Sequence, residues 1–122
     1  MKTVNLSFEN VDMSADYTSA ALKVDSMDGY SVCARWVGGG SPTGTFKLQA
    51  SNNAFPDNVG YNIPENPDAI WVDITGSDYT VTDDGDYFWN VSDVYYRAVR
   101  VVYDQVSGTA TGTILIFAKG IV

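Results

Sequence analysis

Four aspartates near one predicted turn are the residues of this chain that most suggest chemistry. Asp83, Asp84 and Asp86 flank Gly85, and Asp78 precedes them. Carboxylates at this spacing resemble part of a calcium loop, but an EF-hand loop also needs ligands at alternating positions and a bidentate Glu at its end. Because no Glu follows, the sequence favours solvation of a turn over a calcium site.

Catalysis has little support in the composition. The chain has no histidine, the commonest general base and a common metal ligand. Histidine-based nucleophile systems are therefore excluded, and so is a zinc site built on His or paired Cys, because Cys33 is the single cysteine. A glycosidase needs two opposed carboxylates in a cleft. Asp73 and Glu65 are available, but nothing in the sequence selects them. We predict no enzymatic activity, no metal and no cofactor.

Composition indicates one globular domain over residues 1–122. Hydrophobic residues are 45% and charged residues 18%, which is typical of a domain that buries a core without disulfides or metals. Fifteen acids against seven bases give a charge of −8, which opposes binding to nucleic-acid phosphates. The opening MKTVNLSFENVDMS lacks an apolar signal segment, and TILIFA is too short to span a bilayer. We expect synthesis in the cytosol and no nucleic-acid, membrane or small-molecule partner.

Alternation of apolar and polar residues predicts strands along most of the chain. YSVCARWV and TFKLQAS alternate on either side of GGGSPTG, which predicts a hairpin over residues 30–51. DYTVTDDGDYFWNV is a second predicted hairpin, and QVSGTATG is a further predicted turn before TILIFAKG. DMSADYTSAALK is a weak helix candidate. About eight short strands with Gly-rich turns are typical of an antiparallel β-sandwich or jelly roll.

The aromatic side chains, 13% of the residues, have two interpretations. Rings at alternating strand positions are expected to fill the space between two sheets; these are Trp36, Phe46, Phe88 or Trp89, and Phe117. An aromatic platform on such a scaffold could instead stack on sugar rings. Cys33 is expected to be a small, buried or half-buried apolar residue.

Two segments are candidates for contact with a partner. Residues 52–68 hold three of the four prolines, which predicts one long loop, and loops of this length often carry function. Its apolar residues Phe55, Tyr61 and Ile63 are expected to be exposed or to pack on a neighbouring chain. The N-terminal segment Lys2 to Phe8, with Val4 and Leu6, is the second candidate, because a terminal strand can add to a neighbour's sheet.

Five short motifs occur in order between residues 30 and 120: a strand ending in Trp36, then GTFKLQASN, W-x-D-I-x-G-S, WNVSD with YR-x-VR-x-x-Y, and SGT-x-TG. In this order the chain resembles a group of small proteins encoded among bacteriophage virion genes. The motifs belong to turns and strand cores. The resemblance implies a β-sandwich on the virion, as a head decoration or minor capsid protein, or as a tail or fibre component.

The sequence therefore predicts a virion structural protein that docks non-covalently on other virion subunits. It is expected to be a homo-oligomer, made in the host cytoplasm. The alternative is a carbohydrate- or receptor-binding β-sandwich module on a phage tail or fibre, in which exposed aromatic rings stack on sugar.

Overall fold

Eight β-strands form the described part of the chain. The computed structural model describes residues 2–25, 27–55, 65–82, 84–92 and 94–121. The strands are β1 (Lys2–Asp12), β2 (Tyr17–Thr18), β3 (Leu22–Lys23), β4 (Gly29–Ser51), β5 (Val72–Asp73), β6 (Tyr79–Val81), β7 (Gly85–Ser92) and β8 (Ala98–Ile121). The pairings between them are antiparallel. The predicted all-β, antiparallel fold is thus confirmed.

The weak helix candidate is not helical, since its residues include β2 and β3. Within the described ranges there is no helix with the length and apolar character needed to cross a bilayer.

β4 and β8 are much longer than ordinary strands and pair with each other along nearly their whole length. They have 23 and 24 residues, whereas strands of globular proteins most often have about 5–6. Their pairing runs from Gly29 opposite Lys119 to Ser51 opposite Ala98. This central ribbon carries the other strands on its two sides.

The shorter strands divide the sheet into two layers. In layer A, β1 pairs with the second half of β8, and β7 pairs with the first half of β4. In layer B, β2 and β3 pair with the first half of β8, and β5 and β6 pair with the second half of β4. The two layers of the predicted sandwich therefore belong to one hydrogen-bonded sheet that curls on itself.

The ribbon bends between the layers at glycine-rich bulges. The register of β4 against β8 shifts three times between Val37 and Gly44, and bulges of this kind bend a strand. Ser41 and Gly108, on opposite strands, have positive φ angles of 49° and 78°. The predicted hairpin over residues 30–51 is therefore wrong, and so is the predicted turn in QVSGTATG. Each segment bends its strand without reversing it, because the opposite strand continues to pair across the bend.

The second predicted hairpin is also wrong. β6 pairs with Gly44–Phe46 in layer B, whereas β7 pairs with Gly29–Trp36 in layer A. The segment between them, in which Asp83 lies outside the described residues, therefore connects the two layers. Val81 of β6 and Trp89 of β7 are both buried. Each of these two strands therefore buries its apolar side chains in a different layer.

Inward-facing rings from both layers form one core. Trp36 of layer A and Phe46 of layer B have ring centroids 5.3 Å apart, and Phe46 also contacts Trp89 at 6.3 Å. All three are buried, which confirms the prediction for Trp36 and Phe46 and selects Trp89 over Phe88. The prediction for Phe117 is wrong: it is 39% exposed. Ile116, one position earlier on β8, takes the inward position instead.

Two buried serines complete the hydrogen bonding of layer B where its edge strands are interrupted. Ser19 lies between β2 and β3, and its hydroxyl accepts a hydrogen bond from the Val101 N–H at 2.8 Å. Ser77 lies between β5 and β6, and its hydroxyl accepts from the Leu48 N–H at 3.0 Å. Both N–H groups belong to the central ribbon, and each serine prevents a buried donor from being unsatisfied.

Candidate functional site: the apolar outer face of layer A

A patch of apolar side chains covers the outer side of layer A. The strand register aligns one row across the four strands of this layer: Phe8, Leu115, Cys33 and Phe88. In the next row, Leu6 lies opposite Phe117. Directly opposed residues on one sheet face have Cβ atoms only about 5 Å apart, so the patch is continuous. We define the apolar face as these side chains: Leu6, Phe8, Cys33, Phe88, Leu115 and Phe117.

The side chains of the apolar face are exposed. Leu6 and Phe8 are each 62% exposed, and Phe88 is 54% exposed. Leu115 and Phe117 are 38% and 39% exposed, and Cys33 is half-buried. With roughly 200 Å² for a fully exposed side chain of this size, the face presents about 500 Å² of apolar surface. The largest patches on monomeric proteins measure roughly 300–600 Å² and are often functional.

The orientation of β1 is set by the residues on its other side. Val11 and Met13 are buried, and Glu9, in the same phase as Val11, accepts hydrogen bonds from the Tyr17 hydroxyl at 2.5 Å and from the Ala20 N–H at 2.8 Å. A shift of register by one residue would expel all of these groups to the outside. The outward position of Leu6 and Phe8 is therefore a consequence of the anchored register of β1.

The outer side of layer B has the opposite character. Lys47 lies 3.2 Å from the Asp73 carboxylate and 3.3 Å from that of Asp104. Gln49 donates to Asp73 at 2.8 Å and accepts from Arg100 at 2.8 Å. The hydrogen bond from Gln49, with that from Lys47, holds the pKa of Asp73 below its ordinary value. We call these five residues the polar face; Lys47 is paired with the two aspartates, and Arg100 is hydrogen-bonded to Gln49.

The tryptophans do not form an open platform for sugar rings. Trp36 and Trp89 are buried in the core. Trp71 is covered by Arg100, whose guanidinium carbon lies 4.2 Å from the ring centroid. Tyr95 is 90% exposed, the highest value among the described large apolar and aromatic side chains.

Of the residues predicted to contact a partner, the structure places one on the apolar face. This residue is Leu6; Val4 lies in β1 as well, but its side chain is outside the described set. Phe55 follows β4 in layer B and is half-buried. Tyr61 and Ile63 lie outside the described residues.

Leu6 and Phe8 belong to the N-terminal segment that the sequence offered as a contact region, but sequence reasoning did not propose the other four members of the apolar face: Cys33, Phe88, Leu115 and Phe117. A usable signal exists in TILIFA, which is apolar in both phases of its alternation. A strand with this pattern is apolar on both faces, and only one face can point into the core.

The acidic residues considered for chemistry do not converge. Asp86 pairs with Arg35 at 3.4 Å on the surface, and Asp83 is outside the described residues. Asp73 is bound in the polar face, whereas Glu65 is an exposed residue of the loop. Among the residues described, no group of three or more carboxylate or thiol side chains is placed to hold a metal ion.

Two solved structures resemble the chain along nearly its whole length. One comes from Bacillus endospore appendages, described as a novel family of disulfide-linked pili; it is 14% identical, covers 99% of this chain and 92% of its own, and has a TM-score of 0.45. The other is the SPBc2 prophage-derived protein YomS, with 12% identity, coverage of 94% and 95%, and a TM-score of 0.48. The chain matches no protein-family model and no curated protein.

Proposed function

We propose that this protein is a structural subunit of a virion or a related surface assembly, and that it joins the assembly by non-covalent docking of the apolar face. The observation that supports this most directly is the contrast between the two outer sides of one bent sheet. Layer A exposes Leu6, Phe8 and Phe88, while layer B exposes charged groups that already pair with one another. The resemblance to phage virion proteins is consistent with such a role, with other virion proteins as partners.

The apolar face is large enough to drive docking. Burial of about 500 Å² of apolar surface, at about 25 cal/mol per Å², contributes on the order of 12 kcal/mol. Association itself costs roughly 4–15 kcal/mol in lost freedom of motion. The two terms are of similar size, so the apolar face alone favours reversible attachment, and polar contacts at its rim would decide the affinity.

The fold is suited to a subunit that functions by binding to other subunits. The central ribbon passes through both layers, and the aromatic core holds them together, so the apolar face is presented on a rigid support.

The test adds purified protein to particles assembled without it. Wild-type protein should bind to a fixed copy number, measured by quantitative mass spectrometry, with its position determined by electron microscopy. The double variant Phe8→Ser/Phe88→Ser should lose binding. Val72→Ser is the control, because Val72 is 62% exposed but lies in layer B. Equal binding of the double variant and the wild type would refute docking through the apolar face.

The carbohydrate-binding alternative has weaker support, because the tryptophans are buried or covered. It predicts that a glycan quenches tyrosine or tryptophan fluorescence of the isolated protein. Quenching that disappears in Tyr95→Ala, while Phe8→Ser/Phe88→Ser behaves as wild type, would favour the alternative over docking.

A further inference from the structure

We infer that the apolar face docks on the same face of a second copy of this chain, so that the layer A sheets of two copies pack face to face around a two-fold axis. This inference rests on the proposed function, since it names the first partner of the same surface. Three properties of the face favour a second copy.

The first property is charge balance. Among the described side chains within the four strands of layer A, the charged ones on the outer side are Arg35 and Lys119, which are positive, and Asp12 and Asp86, which are negative. Their charges cancel, although the whole chain has a charge of −8. Two copies that meet through this face therefore bring no excess of one charge together among these side chains.

The second property is that the described basic side chains of this face, Arg35 and Lys119, meet no like charge in a two-fold arrangement. With the axis parallel to the strands, between β4 and β8, each β4 lies over the partner's β8. Arg35 then faces Thr113, its row neighbour on β8, and Lys119 faces Gly29. In the same arrangement Phe8 of β1 faces Phe88 of β7, which places aromatic side chains against each other.

The third property is shape and area. Sheets that pack face to face lie about 10 Å apart, with strands aligned within about 30°, an angle that comes from the twist of each sheet. Two copies have the same twist, so their layer A sheets fit in this way. A stable interface buries about 800 Å² on each partner. The apolar face supplies about 500 Å² of this, and the surrounding polar side chains, such as Asn10, Thr113 and Asn90, can supply the rest.

The experiment measures mass against concentration by analytical ultracentrifugation of the whole chain. Wild-type protein should change from 13.2 kDa toward twice this mass as concentration rises. Leu115→Lys and Leu115→Glu, at the centre of the apolar face, should each remain monomeric because like charges would meet. An equimolar mixture of the two should recover the dimer, because opposite charges then meet. Val72→Lys in layer B is the control and should dimerise as the wild type does.

Cys33 provides a second measurement within the same face. It is the single cysteine and is half-buried in the central apolar row, so its rate of maleimide labelling should fall as the wild-type protein dimerises. In the Leu115 variants the rate should not depend on concentration. Circular dichroism melts of each variant check that it is folded before its mass is interpreted.

The inference is overturned if the wild type is monomeric at all concentrations, or if the folded Leu115 variants dimerise as tightly as the wild type. A monomeric wild type that still binds particles through the apolar face overturns the dimer but not the proposed function. A dimer that never enters particles would support the dimer and overturn the proposed function. The two failures can therefore be told apart.

Discussion

Tyr103 lies directly over Gly44 in the core between the two layers. A Cβ atom at position 44 would lie 2.7 Å from both the hydroxyl oxygen and Cζ of Tyr103, which is closer than side-chain contacts allow. The glycine therefore permits the ring to reach Phe46, with ring centroids 4.7 Å apart. The Tyr103 hydroxyl is buried with no hydrogen-bond partner in the described part of the chain, and burial raises the pKa of Tyr103.

Tyr103→Phe should leave the free energy of unfolding unchanged or raise it by about 1 kcal/mol. The substitution removes an unpaired buried hydroxyl, whose burial costs roughly 1–3 kcal/mol, and keeps the ring. Tyr30→Phe is the matched control: the Tyr30 hydroxyl is hydrogen-bonded to that of Tyr96 at 2.5 Å, so its removal should cost about 1 kcal/mol. Urea unfolding measures both. Equal losses in the two variants would mean that the Tyr103 hydroxyl does have a partner.

Two glycines with nearly the same backbone conformation should respond differently to alanine. Gly76 and Gly108 have φ angles of 82° and 78°, so alanine at either position is strained by about 1–2 kcal/mol. A Cβ at Gly76 meets nothing within 4 Å, whereas one at Gly108 would lie 2.2 Å from the Ser41 carbonyl oxygen at the bend. Thermal unfolding should show a clearly larger loss for Gly108→Ala. Similar losses of stability in Gly76→Ala and Gly108→Ala would show that the backbone at the bend moves away from the new Cβ atom without lowering the stability further.

Replacing either buried serine of layer B with alanine should lower the free energy of unfolding by about 1–3 kcal/mol, because the substitution leaves an N–H of the central ribbon unsatisfied. Ser19→Ala should release the Val101 amide, and Ser77→Ala should release that of Leu48. Hydrogen exchange at these two amides should become faster in the corresponding variant only. Ser14→Ala, at an exposed position, is the control and should change stability by less than about 0.5 kcal/mol. A loss confined to Ser14→Ala would contradict this account.

Stability should decline at alkaline pH, and Tyr17 should contribute to the decline. Burial, together with the hydrogen bond to Glu9, raises the pKa of Tyr17 from 10.0 to about 12. Because the pKa is higher in the folded state, the stabilising contribution is complete below pH 10 and is lost as the pH rises to about 12. Tyr17→Phe should make the decline over this range shallower. The free energy of unfolding is measured at several pH values for the wild type and for Tyr17→Phe. The same slope of this free energy against pH in both proteins would disprove the contribution of Tyr17.

The alternation of residue types predicted that the rings of Trp36 and Phe46 enter the core, and it left the choice between Phe88 and Trp89 open. Local spacing decides which residues share a face of a strand, and it does not depend on where the strand goes. The same spacing placed Leu6 and Phe8 together, but it could not show that they face outward. That was decided by Val11 and by the contacts of Glu9 with Tyr17 and Ala20, which anchor the opposite side of β1.

The sequence by itself determined an all-β chain, its alternating faces and the absence of histidine chemistry, because these follow from residue types and from a period of two. Only the tertiary structure decided that GGGSPTG bends a strand of 23 residues instead of closing a hairpin. Glycine permits both outcomes, and the choice depends on β8, which lies far along the chain and pairs across the bend. The apolar face has the same origin: a strand pattern defines two sides, but a partner distant in sequence decides which side is covered.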